Sequence, residues 1–157
     1  MKIFSSNELQ CYALRLFNVY GPGQNMANLK QGMVSIFLSQ VLSNNFIHVK
    51  GPSERFRDFV YIEDVINAFI LVYNNKTISN FEIYNISTNI KTKISDLIIK
   101  FEKIIPSNFK IKYQGETPGD QFGIFGNNKK FKKEFNWHCK TKLDKGLKIM
   151  YKSYKNY

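Results

Sequence analysis

No apolar run in this 157-residue sequence approaches the ~20 residues that a membrane-spanning helix needs. The best stretch, Met33 to Leu42, is interrupted by Ser35, Ser39 and Gln40. Near the start, Ser5, Ser6, Asn7, Glu8 and Gln10 stand where a secretory signal would keep an unbroken apolar core. The expectation is a soluble, cytoplasmic chain with no membrane partner. Cysteine is scarce: Cys11 and Cys139 make no disulfide framework and are expected as free thiols. Histidine is equally scarce. His138 and Cys139 are neighbours that point apart on any regular element, and no second Cys or His pair completes a zinc site, so no metal is expected.

Acidic residues are also few, with 12 Asp and Glu against 23 Lys and Arg, giving a net charge of +11. Such a surplus can serve nucleic acid, and Lys129, Lys130, Lys132 and Lys133 bracket Phe131. A plainer account is a helix with Phe131 and Phe135 turned inward and the lysines in solvent. A basic nucleic-acid-binding module is therefore the rival reading, and a phosphate-bearing ligand would use only a few of these charges. The apolar content of 43% argues for an ordered core, and the length for one domain.

Periodicity along the chain alternates between strand and helix, which predicts an α/β fold. Ala13 to Val19 reads as a strand ending at the Tyr20-Gly21-Pro22-Gly23 turn. From Gly32, the stripe Met33, Val34, Phe37, Leu38, Val41 and Leu42 predicts a helix that Asn44 and Asn45 end. Phe46 to Val49 reads as a strand and Arg55 to Tyr61 as extended. A helix follows, with Glu63 and Asp64 at its start and Val65, Ala68, Phe69, Val72 and Tyr73 inward. Phe81 to Ile86 is a strand. Ile94, Leu97, Ile98, Phe101, Ile104 and Ile105 form a helix capped by Thr92 or Ser95 and stopped by Pro106. Phe109 to Tyr113 reads as a strand, Gln114 to Asn127 as loop, and Asn128 to Phe135 as a short helix. Thr141 opens the last helix, with Asp144 in an approximate capping box.

Three segments place polar groups beside glycines in loops, where ligands are usually met: Phe17 to Gln24, Arg57 to Tyr61, and Pro118 to Gln121. The first ends a strand, the edge at which open α/β sheets bind ligands. Asn18 there offers a short donor and acceptor, and Arg57 offers a planar fork suited to phosphate oxygens. Plainer readings stand beside these. Asn18 can simply end the strand, and Arg57 with Asp58 can be a surface ion pair of little worth.

Taken in order, five motifs resemble the C-terminal half of the extended short-chain dehydrogenase/reductase family. They are Leu14-Arg15-Leu16-Phe17-Asn18-Val19-Tyr20-Gly21-Pro22-Gly23-Gln24, Arg57-Asp58-Phe59-Val60-Tyr61-Ile62-Glu63-Asp64-Val65, Tyr84-Asn85-Ile86-Ser87, Pro118-Gly119-Asp120, and Asn136-Trp137 with Leu143 to Leu147. The family includes UDP-glucose 4-epimerase and sugar-nucleotide dehydratases. The resemblance implies the end of a Rossmann-type sheet joined to a small α/β substrate-binding subdomain. In one truncated unit, residues 1–31 would be a helix end, strand and Gly-Pro-Gly loop, and residues 32–157 the subdomain with interleaved sheet strands. It implies NAD as cofactor and a nucleotide sugar as substrate, UDP-hexose 4-epimerization being the favoured reaction. Asn18 would contact the substrate pyrophosphate and Arg57 the nucleotide's phosphate or ribose oxygens. Gly32 and Met33, opening the helix, would give backbone contacts to the nucleotide, while Phe17 and Tyr20 would close the nicotinamide pocket. Asp58 and Asp64 fit structural roles.

Two departures qualify that resemblance. Thr117 stands where many members carry an arginine before Pro-Gly-Asp, which removes a second phosphate clamp. The glycine fingerprint for the dinucleotide and the Tyr-x-x-x-Lys pair, in which lysine favours tyrosinate, are both absent ahead of Asn18. Met1 to Gln10 resembles the end of the helix that bears that pair. No catalytic residue is therefore assigned, and the chain alone is expected to be inactive. A separate N-terminal Rossmann segment is its expected partner, with the family's homodimer interface incomplete. A gene fragment without function is the remaining alternative. Tyr151 with Lys155, and Gly119 with Gly123 and Gly126, imitate the missing motifs in the wrong context.

Overall fold

The computed structural model describes residues 11–75, 81–116 and 119–155. The helix end expected over residues 1–10 lies outside them, as do Thr117 and Pro118. The elements run β1 (Cys11–Leu16), β2 (Val19–Tyr20), α1 (Met33–Asn44), β3 (Phe46–Val49), β4 (Phe56–Arg57), β5 (Val60–Tyr61) and α2 (Ile62–Asn74). Then come β6 (Phe81–Ile86), β7 (Thr92–Lys93), α3 (Ile94–Ile104), β8 (Lys110–Tyr113), α4 (Lys129–Phe135) and α5 (Leu143–Lys155). The class is α/β. β1 pairs with β6, β2 with β5 and β3 with β8, all parallel, and β4 with β7 antiparallel. Parallel partners must be joined by crossovers, so helices and loops intervene between every such pair.

Two apolar clusters fill the interior. One gathers Val34, Phe37, Leu38 and Val41 of α1, Ile94, Leu97, Ile98 and Phe101 of α3, and Leu147 and Met150 of α5, around Tyr20, Phe59 and Tyr61. The other sets Val65, Ala68 and Val72 of α2 against Tyr84 and Ile86 of β6, with Phe131 of α4 and Trp137. α1 ends where its asparagines predict: Asn45 takes a left-handed φ of 50° and its N–H bonds the Val41 carbonyl at 3.0 Å. α3 ends before Pro106, with the Ile105 N–H on Phe101 at 2.8 Å.

Four expectations are corrected. The strand Ala13 to Val19 is two strands, because the chain leaves β6 after Leu16 and joins β5 at Val19. Neither Thr92 nor Ser95 caps α3. Thr92 is committed to the antiparallel pair with Arg57, and Lys93 takes the cap position without a side-chain bond. Asp144 reaches across to Lys100 at 2.9 Å rather than back to Thr141, so it ties α5 to α3. On α2, Phe69 is half exposed and Tyr73 is 89% exposed. Its inward side is instead selected by polar contacts at its start. Trp137 donates its indole N–H to the Asp64 carbonyl at 3.2 Å, and the Asp64 carboxylate accepts the N–H groups of Lys140 and Thr141. That rotation leaves Ile66, Phe69, Ile70 and Tyr73 as an outward apolar stripe.

The loops are gathered by Asp58, which is fully buried. Its carboxylate accepts the Thr88 N–H at 2.8 Å, the Thr88 hydroxyl at 2.5 Å, the Asn89 N–H at 2.9 Å and the Gly126 N–H at 3.2 Å. These four bonds compensate a charge that would otherwise be costly to bury.

Two outcomes follow from this packing. Asp58→Ala leaves the buried Gly126 N–H and the partly buried Thr88 and Asn89 donors unpartnered and is expected to lower unfolding free energy by about 3–5 kcal/mol, read from urea denaturation. A loss under about 1 kcal/mol would mean that these donors find water instead. Cys139 packs beside the second cluster, and burial, helped by the charges of Asp64 and Asp58, pushes its thiol from 9.0 up to about 12. At pH 8 the native protein is expected to alkylate there about a thousandfold more slowly than an open thiol, since only thiolate reacts. Mass spectrometry after iodoacetamide pulses checks this, and equal rates for folded and unfolded protein would contradict it.

Candidate functional site

The place where the chain changes sheets is built from Asn18 outward. The Phe17 N–H makes the last bond to β6, on Ile86 at 3.2 Å. Asn18 then accepts the Val60 N–H through its carbonyl at 3.2 Å and donates its side-chain amide to the Asp58 carbonyl at 3.2 Å. Asn18 thus grips the segment that carries Arg57, at the residue next to it. Gly32, the extended residue before α1, reaches the same seam: a Cβ built there would lie 3.7 Å from the Val19 carbonyl oxygen. Gly32 is exposed, and Met33 begins α1 with its side chain packed on the first cluster. The first turn of α1 carries no acidic side chain, so its free N–H groups have no local carboxylate competing for them.

Arg57 is not a surface residue, and its ion-pair partner is not Asp58. Its side chain is 6% exposed and meets Asp120 at 2.5 Å. Nη1 donates to the Phe56 carbonyl at 2.8 Å and to Phe122 at 3.5 Å. The other oxygen of Asp120 is held by Arg55, whose side chain is 7% exposed. Arg55 also donates from Nε to the Pro52 carbonyl at 3.1 Å and from Nη2 to the Lys50 carbonyl. Two buried guanidinium groups against one carboxylate leave a surplus of one positive charge. Sequence reasoning missed Arg55 and the pairing role of Asp120. For Arg55 the signal was there in the spacing, because residues 55 and 57 of an extended segment share a face.

The other expected residues divide. Phe17 is half-buried, with its ring close to Gly126, where an added Cβ would come within 2.8 Å of it. The Ser87 hydroxyl beside them is buried and has no partner among the described residues. Tyr20 lies inside the first cluster, its ring edge-on to Tyr61 and Phe59 and its hydroxyl on the Leu143 carbonyl at 3.4 Å. Burial raises its phenol well above the ordinary range, with the charges of Tyr61 and Asp64 adding to it. A side chain so enclosed can present only its backbone to a ligand.

Features that imitate other sites have structural explanations. Lys130 pairs with Glu82 and lies 4.7 Å above the Tyr84 ring, while Phe131 is buried in the second cluster. Gly123 sits against the Phe56 ring and Gly126 against Ser87, so close packing accounts for both. Tyr151 packs on the first cluster and Lys155 is exposed. A cleft of about 540 Å³ lies between α3 and α5 and another of about 290 Å³ beside Phe59 and Cys139. Neither contains Asn18, Arg57 or Asp120.

Residues 2–87 match the model of the NAD dependent epimerase/dehydratase family. A putative UDP-glucose 4-epimerase of Methanocaldococcus jannaschii is 32% identical over 145 residues, covering 91% of this chain and 45% of the relative. The solved UDP-glucose 4-epimerase of Thermotoga maritima, crystallized with UDP-glucose, superposes with a TM-score of 0.84 at 29% identity, over 92% of this chain and 46% of that one. A UDP-glucuronic acid 4-epimerase of Bacillus cereus, in complex with UDP-glucuronic acid and NAD, gives 0.80 at 25% identity, over 91% and 44%. The chain spans about half the length of the relatives it matches. With the matched region exceeding half of its residues, this chain belongs to the NAD dependent epimerase/dehydratase family.

Proposed function

We propose that this chain is the nucleotide-sugar-binding half of an NAD-dependent epimerase or dehydratase, with UDP-hexose 4-epimerization the favoured activity. The observation that carries the reading is the surplus positive charge of Arg55, Arg57 and Asp120, buried beside the strand exchange at Asn18. A diphosphate matches it in charge and in geometry, since a guanidinium fork donates two parallel bonds to phosphate oxygens. Asn18 and the free N–H groups opening α1 at Gly32 and Met33 would supply neutral donors. The relatives' UDP-sugar ligands support the same class of substrate.

For NAD the fit is partial. Phe17, with the backbone of Tyr20, would form one wall of a nicotinamide pocket, and the Ser87 hydroxyl, unpartnered among the described residues, lies beside it. NAD would supply the hydride acceptor, and this chain's residues would bind and orient the sugar that reacts with it. The sequence holds no glycine fingerprint and no Tyr-x-x-x-Lys in the context that chemistry needs. A complementary Rossmann segment would supply both. The outward stripe Ile66, Phe69, Ile70 and Tyr73 on α2 would suit such a segment. In this reading the complementary segment supplies the rest of the site, so affinity of the chain alone is low.

Isothermal titration of the 157-residue chain with UDP-glucose is expected to give weak binding, on the order of 0.1–1 mM. Arg57→Gln is expected to weaken it about tenfold or more, and Asn18→Ala by a few-fold. No epimerization of UDP-glucose is expected from the chain alone with added NAD. Binding no tighter than that of free glucose would sink the nucleotide assignment, and a measurable rate would sink the inactivity.

A further inference from the structure

Asp120 occupies, on Arg57, the position an anionic ligand would need. Its Oδ1 accepts from Arg57 Nη2 at 2.5 Å while its Oδ2 is taken by Arg55. A carboxylate oxygen and a phosphate oxygen ask for the same thing from a guanidinium, so Asp120 and a ligand compete for one fork. The competition is lopsided because of how the two arginines are held. Arg55 is fixed on the Lys50–Ser53 turn, with Nε on Pro52, Nη2 on Lys50 and its guanidinium carbon 3.0 Å from where a Cβ on Gly51 would stand. Gly51 has a φ of 80°, a conformation that favours glycine, which lets the turn close beneath the guanidinium. Arg57 by contrast bonds two backbone carbonyls through Nη1 and Asp120 through Nη2, leaving its Nε–H and one Nη2–H unclaimed among the described residues. Asp120 is the more exposed member of the cluster, at 26% against 6% and 7%.

We propose that Arg55 is a positioning residue that retains Asp120 when an anion takes Arg57. With the ligand absent, Asp120 bridges the two guanidinium groups and screens their repulsion. When a diphosphate arrives, Asp120 withdraws onto Arg55, so the fork of Arg57 is freed without stranding a partly buried carboxylate. Arg55 touches no ligand in this scheme. It sets affinity by giving the displaced carboxylate somewhere to stay. The inference rests on the nucleotide-sugar reading for the identity of the anion, and on the cluster's geometry for the exchange itself.

The test is a double-mutant cycle on the 157-residue chain, with UDP and inorganic pyrophosphate as probes and circular dichroism melts confirming that each variant folds. Asp120→Asn removes the competitor and is expected to bind UDP as tightly as wild type or more so. Arg55→Gln leaves Asp120 wholly on Arg57 and is expected to bind about tenfold more weakly. The combination Arg55→Gln with Asp120→Asn is expected to regain most of that loss, a rescue that a merely structural arginine would not show. Equal losses from Arg55→Gln in both backgrounds would make Arg55 a direct ligand and overturn the proposal. Should Arg55→Gln not fold, Asp120→Asn alone decides, because weaker binding of UDP there is incompatible with a competing carboxylate. Wild type that ignores UDP and pyrophosphate alike would remove the parent reading and this one with it. Wild type that binds both while Arg55→Gln binds them unchanged would remove only this one.

Discussion

A carboxylate with no cationic partner among the described residues organizes this molecule. Asp58 is enclosed by protein, yet its oxygens face three backbone N–H groups and one hydroxyl, drawn from Thr88, Asn89 and Gly126. Its own carbonyl takes the amide of Asn18. Chain segments far apart in sequence are therefore fastened at one residue: the strand exchange, the turn after β6 and the loop before α4. The neighbour of Asp58 is Arg57, so the guanidinium's position is inherited from the carboxylate's. Buried charge is tolerable here because dipoles replace the water it gave up.

Much of the fold was legible as period. α1, α3 and β6 follow from stripes and alternation, and the asparagine and proline stops of α1 and α3 act as their chemistry requires. What was not legible depends on contacts between distant residues. Nothing local tells Leu16 and Val19 that they belong to different sheets; Asp58 and β5 decide it. Several rotations of α2 would bury a stripe, since its apolar residues run round most of its circumference. Trp137 and the turn at Lys140 and Thr141 choose one of them. For the site, Asn18 and Arg57 were visible as residue types beside turns. The pairing of Arg57 with Asp120 was hidden, because an ion pair across sixty-odd positions leaves no trace in spacing.

The chain's basicity separates into two kinds. The lysines of α4 stand largely in solvent, where salt screens them and each contributes little to specific recognition. Arg55 and Arg57 are enclosed, their forks are oriented by backbone carbonyls, and screening reaches them weakly. Net charge alone weights these two groups equally, although only the enclosed pair has fixed geometry.

The parallel pairing of β1 with β6 has a consequence for synthesis. Cys11 lies opposite Phe81, so the partner of β1 leaves the ribosome about 70 residues after β1 does. At roughly 5–20 residues per second, the edge of β1 that β6 will take stays unpaired for about 4–14 s. During that interval the edge can be taken by another extended segment, and crowded translation of this message favours misassembly at that step.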